Sequence, residues 1–127
     1  MAEPLALGDA FVIGDGGHLW IVCSVSDRDR SIVILNLTTW RAGCDENCVI
    51  NPGEHSFVKH RSVVSYEHGR IATLVQQDKL RSIASSRAPA TDALVSKIQV
   101  GAIASDLTSQ DIQEHIRLST AKQTKPR

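Results

Sequence analysis

The stretch Gly53-Glu54-His55-Ser56-Phe57-Val58-Lys59-His60-Arg61-Ser62-Val63-Val64 packs two imidazoles, two hydroxyls and three charged groups into twelve residues. Just upstream lie Thr38, Thr39, Trp40, Arg41, Cys44 and Cys48. No other part of the chain gathers so many groups able to move protons, hold phosphate or bind a metal. One chemistry open to this set is RNA cleavage without a metal. It needs a base for the attacking 2′-hydroxyl, an acid for the leaving oxygen, and donors or cations for the phosphoryl oxygens. Histidine suits both proton roles because its pKa lies near neutrality. His18, His55 and His60 are the histidines in question. Thr38 and Thr39 can donate to phosphate, Arg41 or Lys59 can offset developing charge, and Trp40 can stack on an unpaired base. The expected catalytic set is therefore His18, Thr38, Thr39 and His60, with substrate contacts from Trp40, Arg41, His55 and Lys59.

A second chemistry is a zinc site. Cys44 and Cys48 stand as C-x3-C, and His55 and His60 as H-x4-H. Only six residues separate Cys48 from His55, far fewer than common finger patterns use. Cys48 adjoins Val49-Ile50, as a buried thiol would, and Cys23 lies in an apolar run. The expected site has neither metal nor cofactor. A third reading is structural: Glu54 and His55 bind backbone groups in a turn, and Lys59 to Ser62 tie a long loop down. Within it, His55 follows Pro52-Gly53 and is the expected loop anchor. His60 precedes the return to Ser62-Val63-Val64 and is the expected groove residue. No nucleophile elbow, P-loop or dinucleotide fingerprint is present.

Strands must position these groups. Ala10 to Ile13, His18 to Val25 and Ser31 to Thr39 read as strands, with a turn at Asp15-Gly16-Gly17 and a charged hairpin tip at Asp27 to Arg30. Cys48 to Ile50, Ser62 to Tyr66 and Ile71 to Val75 complete the expected set. Short strands with close turn signals indicate a small antiparallel, partly closed barrel. Ser82 to Ala90 reads as a connection. Thr91-Asp92 then caps a helix with Leu94, Val95, Ile98, Ala102 and Ile103 at helical spacing, weakened near its end by Gly101. Thr108 or Ser109 caps a second helix carrying Ile112 and Ile116.

The 127 residues fit one domain, with a barrel over about 8–80, helices over about 90–119 and a mobile tail at 120–127. Lys+Arg and Asp+Glu both number 14, which argues against a generic duplex-DNA coat and tolerates self-association. Three cysteines, no leader before Leu5 and no long apolar run give the expectation of a reduced, cytoplasmic protein without a membrane span.

Several segments, taken in order, resemble the MazF/PemK group of toxin ribonucleases. These are Gly8-Asp9-Ala10-Phe11-Val12, the strand His18 to Cys23, the run Val33-Ile34-Leu35-Asn36-Leu37-Thr38-Thr39, and Val58-Lys59-His60-Arg61-Ser62-Val63-Val64 followed by Gly69-Arg70-Ile71 and Leu80. The resemblance spans about residues 8–80. It implies an SH3-like barrel with C-terminal helices, single-stranded RNA as substrate and a cognate antitoxin, while a homodimer is expected because isologous pairing would bury apolar faces a small barrel cannot cover alone. The family threonine or serine falls on Thr38 or Thr39. The family arginine before the second strand is absent, and His18 stands there. The alternative is a non-catalytic SH3-like module binding a protein or peptide, of phage or mobile-element origin.

Overall fold

The computed structural model describes residues 4–14 and 17–124. Asp15 and Gly16 of the expected turn lie outside the described residues, as do 1–3 and 125–127 of the two ends. Among the described residues six strands form one sheet: β1 (Ala10–Ile13), β2 (Leu19–Val25), β3 (Ile32–Thr39), β4 (Val49–Ile50), β5 (Ser62–Ala72) and β6 (Ala84–Arg87). Their order is β4-β5-β3-β2-β1-β6 and every neighbouring pair is antiparallel. The sheet curls into a half-barrel. The described residues also form three helices: α1 (Leu74–Ile83), α2 (Asp92–Ala104) and α3 (Gln110–Thr124). The class is mixed α+β, mainly β. Among the described residues no helix is long and apolar enough to cross a membrane.

Three elements differ from the sequence expectation. The two strands expected at Ser62–Tyr66 and Ile71–Val75 are one strand, β5, which ends at Ala72. Its register against β3 jumps from Asn36↔Ser65 to Ile34↔Arg70, so residues 66–69 bulge opposite Leu35. Gly69 permits this: a Cβ there would stand 2.6 Å from Leu35 Cδ2 and 2.9 Å from Ile112 Cδ1. Leu74 and Val75 belong to α1, started by a capping box in which Thr73 and Gln76 satisfy each other's backbone N–H groups. The expected connection Ser82 to Ala90 contains β6, which pairs with β1 from Ala10↔Arg87 to Ile13↔Ala84.

Alternation along the strands divides the apolar residues between two faces. On one, Leu19, Ile21, Val33, Leu35, Val64 and Tyr66 meet Leu94, Ile98 and Ala102 of α2 and Ile112 and Ile116 of α3. On the other, Phe11, Val22, Ile32, Ile34 and Ala72 pack with Leu5 and with Leu80 of α1. Each large side chain fully buried here stabilises the fold by about 1.5–3 kcal/mol. Gly101 is less a weak point than a contact surface. A Cβ there would stand 2.2 Å from the Tyr66 hydroxyl and 2.8 Å from the Asn47 carbonyl. Its absence lets Tyr66 reach into α2 and donate to the Ile98 carbonyl at 2.8 Å. At the bulge in β2, buried Gln99 of α2 donates to the Cys23 carbonyl at 2.8 Å, satisfying an acceptor inside the core. Thr91 caps α2 through the Leu94 N–H. Ser109, rather than Thr108, caps α3 through the Ile112 N–H.

Candidate functional site

Where β2 begins and β3 ends, the half-barrel opens into a groove of about 690 Å³. Four segments line it. His18 enters from the start of β2, Thr38 and Thr39 from the end of β3, and Lys59 and His60 from the loop before β5. Arg87 comes from the end of β6, at the sheet edge. Strand pairing explains the approach of the first two. The β2–β3 register sets Trp20 opposite Asn36, so the residues just before β2 meet those just after Asn36. The His18 Nδ1 then lies 3.1 Å from the Leu37 carbonyl. A carbonyl can only accept, so this bond places the proton on Nδ1 and leaves the Nε2 lone pair available.

The 51–61 loop is built by its own polar groups. The Asn51 N–H donates to Glu54 Oε2 at 2.8 Å, and Lys97 of α2 grips both Glu54 carboxylate oxygens at 2.9 and 3.0 Å. Burial pushes the Glu54 carboxyl up, but the Asn51 N–H and Lys97 outweigh it and hold it below the usual carboxylate range. His55 is 6% exposed. Its Nε2 donates to the Ala88 carbonyl at 2.6 Å, and its Nδ1 accepts the Phe57 N–H at 3.0 Å. The ring therefore bridges the loop to the residue after Arg87. His60, five residues on, is exposed in the groove.

The expected site residues thus divide. His18, Thr38, Thr39, Lys59 and His60 come together in the groove. His55 lies behind the groove wall with both ring nitrogens engaged by backbone. Trp40 and Arg41 lie outside the lining. The Trp40 indole N–H donates to Glu46, and the Arg61 guanidinium covers the ring 4.7 Å from its centroid. Arg41 is exposed, its carbonyl accepting the Cys44 N–H at 3.1 Å. The zinc pattern does not assemble either: among the described residues no group of three or more His, Cys, Asp or Glu side chains is arranged to hold a metal. Burial pushes the Cys23 and Cys48 thiols up, as expected of core cysteines.

Two features escaped the sequence reading. Arg87 is the first. Its guanidinium stands 5.9 Å from the Phe57 ring, and its Nη1 donates to the Ser86 carbonyl at 3.0 Å. A serine-rich segment flanked by two arginines gives no strand signal, so nothing aimed this side chain at the groove. The second is His115 of α3, which no spacing links to its partners. Its Nδ1 lies 2.6 Å from Ser24 Oγ in β2, and its Nε2 lies 3.0 Å from Ser31 Oγ. Ser31 Oγ donates to Asp29 at 2.7 Å. Hydrogen bonds from Ser31 hold the Asp29 carboxyl down at about 2. Burial, partly offset by Asp29, lowers the His115 pKa from its ordinary value. An apolar cleft of about 380 Å³, bordered by Leu7, Val25 and Leu118, opens beside this ring. Comparison of the chain with protein-family models, with curated proteins and with solved structures finds no match.

Proposed function

We propose that this chain is an endoribonuclease acting on single-stranded RNA without a metal, on an SH3-like barrel of the MazF/PemK type. The observation that carries the reading is the convergence of His18, Thr38, Thr39, Lys59 and His60 on one open groove from segments far apart in sequence. Two imidazoles, two hydroxyls and cationic side chains are what transesterification at a phosphodiester requires. His18, with its proton fixed on Nδ1 by the Leu37 carbonyl, offers Nε2 as the base for the 2′-hydroxyl. His60 is the acid for the leaving 5′-oxygen. Thr38 and Thr39 donate to the phosphoryl oxygens, and Lys59 offsets their charge. The groove is open to solvent, and an antitoxin peptide laid along it would exclude RNA. A homodimer completes the proposal, since a half-barrel leaves sheet edges that a second copy can cover.

Expression in a bacterial host tests the reading. The wild type is expected to arrest growth and fragment cellular RNA, and His18→Ala, Thr38→Ala and His60→Ala are expected to do neither. Normal growth with intact RNA at high expression would sink it and favour the protein-binding module instead.

A further inference from the structure

We propose that Arg87 is the cation that holds an RNA phosphate in the groove, and that His55 is the positioning residue that sets Arg87 there. The proposal rests on the RNA reading above and names a substrate contact that reading lacks. A phosphodiester groove needs a cation able to follow charge onto the equatorial oxygens, and Arg41 does not line this one. Arg87 does. Arginine also presents a planar fork of N–H donors matched to two phosphate oxygens, which lysine cannot offer.

An arginine at the end of an edge strand ordinarily sweeps a wide arc. The Arg87 Nη1 donates to the Ser86 carbonyl of its own strand, and three further contacts restrict the side chain. The β1–β6 pairing fixes its backbone opposite Ala10. The next carbonyl, that of Ala88, accepts from His55 Nε2 at 2.6 Å. The guanidinium lies over Phe57, whose own N–H donates to His55 Nδ1 at 3.0 Å. One buried ring thus joins the backbone beside Arg87 to the backbone of the aromatic residue under its head group. Losing His55 frees both ends of that arrangement together. Lys59 sits on the exposed part of the loop and has no such tie to His55.

The test is binding of a short single-stranded RNA carrying 2′-O-methyl groups, which cannot be cleaved, and of inorganic pyrophosphate. Wild type, Arg87→Ala, Lys59→Ala, His55→Ala and the two double variants of His55 are compared below their melting temperatures. Arg87→Ala is expected to weaken RNA binding about tenfold, the loss of one charge-assisted contact. It should also flatten the slope of log affinity against log salt by about 0.7. His55→Ala is expected to weaken binding by a similar factor. Adding His55→Ala to Arg87→Ala should cost nothing more, whereas adding it to Lys59→Ala should multiply the two losses. A merely destabilising His55 variant would multiply with both. Should His55→Ala not fold, His55→Asn carries the cycle, since its Oδ1 still accepts the Phe57 N–H but its amide falls short of Ala88. RNA binding unchanged by Arg87→Ala, or a His55 effect that multiplies with it, overturns the proposal while leaving the RNA reading intact. Pyrophosphate bound through Arg87 without any RNA binding keeps the phosphate site and sinks the RNA reading. Binding of neither probe overturns both.

Discussion

In the 51–61 loop, His55 is gripped by backbone groups on both ring nitrogens, whereas at the seam between α3 and the β2–β3 hairpin both nitrogens of His115 meet serine hydroxyls. The two rings make similar numbers of bonds, yet their partners differ in kind. A carbonyl only accepts and an amide N–H only donates, so the His55 site accommodates one arrangement, with the proton on Nε2. A hydroxyl can turn. At His115, Ser24 Oγ has a second acceptor within reach, the His115 carbonyl at 3.1 Å, and Ser31 Oγ donates a hydrogen bond to Asp29. That network can be satisfied with the ring neutral or charged. His55 is a rigid clamp, and His115 is a joint whose protonation can change. His18 lies between these cases: one nitrogen is fixed by a carbonyl, and the proposed base role falls to the other.

The largest effect expected from this contrast is on activity. Removing a groove imidazole by His18→Ala or His60→Ala should lower RNA cleavage by about 10²–10⁴-fold, the usual worth of a general acid or base. Both residues are exposed, so their melting temperatures should stay close to wild type, with stability changes within about 0.5 kcal/mol. Single-turnover cleavage read beside thermal melts checks this. A His60 variant that loses stability and keeps cleavage would reverse the division of labour within the loop.

Next comes the clamp. His55→Ala leaves the Phe57 N–H and the Ala88 carbonyl without their buried partner and should cost about 1–3 kcal/mol. Chemical denaturation measures this. A change near zero would mean that water replaces the ring at no cost, and that the loop is held elsewhere.

How much of this was legible beforehand follows the physics of each element. β1, β2 and β3 are runs of β-branched and apolar residues, and their extents follow from that to within one residue, β2 starting at Leu19 rather than His18 and β3 at Ile32 rather than Ser31. The division between His55 and His60 follows from Pro52-Gly53 on one side and Ser62-Val63-Val64 on the other. α1 was hidden because Leu74 and Val75 continue the apolar run of β5. The signal that starts it is the Thr73-x-x-Gln76 pair, a capping box spelled with glutamine. β6 could not be read at all. Ala84-Ser85-Ser86-Arg87 has no strand propensity, and it pairs because β1 offers a free edge. A tertiary cause of that kind leaves no local trace, and it is why Arg87 was missed while Arg41, beside the conspicuous Trp40, was expected in its place.

A subtler effect at His115 depends on pH. Burial lowers the folded-state pKa of His115, and Asp29 only partly offsets this. The folded state therefore favours the neutral ring, more than an unfolded chain does. Its contribution to stability is present above the usual imidazole range and is lost as pH falls through that range toward the lower folded value. Asp27, Arg28 and Asp29 of the hairpin and Asp111 and Glu114 of α3 line the same clefts as the ring, and Asp29 is the carboxylate that limits the loss. Melts at pH 7.5 and pH 5.5 should show wild type losing more stability than His115→Gln. Equal losses would mean that the hydroxyl network carries the proton without cost.

The smallest effect tests whether the loop is held by its clamp or by its ion pair. Lys97 reaches Glu54 across from α2, but both side chains are about a third exposed, at 40% and 31%. Such pairs contribute about 0.2–1 kcal/mol and weaken with salt. Glu54 also keeps the Asn51 N–H when Lys97 is gone, so its carboxylate is not orphaned. Lys97→Ala should therefore cost well under the loss from His55→Ala, and the difference from wild type should shrink further in 0.5 M salt. Groove function should not change, because Lys97 holds the loop's base and touches neither Ala88 nor Phe57. If Lys97→Ala matched His55→Ala in stability and also weakened RNA binding, the loop would move as one body on α2. The backbone clamp would then be one contact among several, with no special hold on the groove.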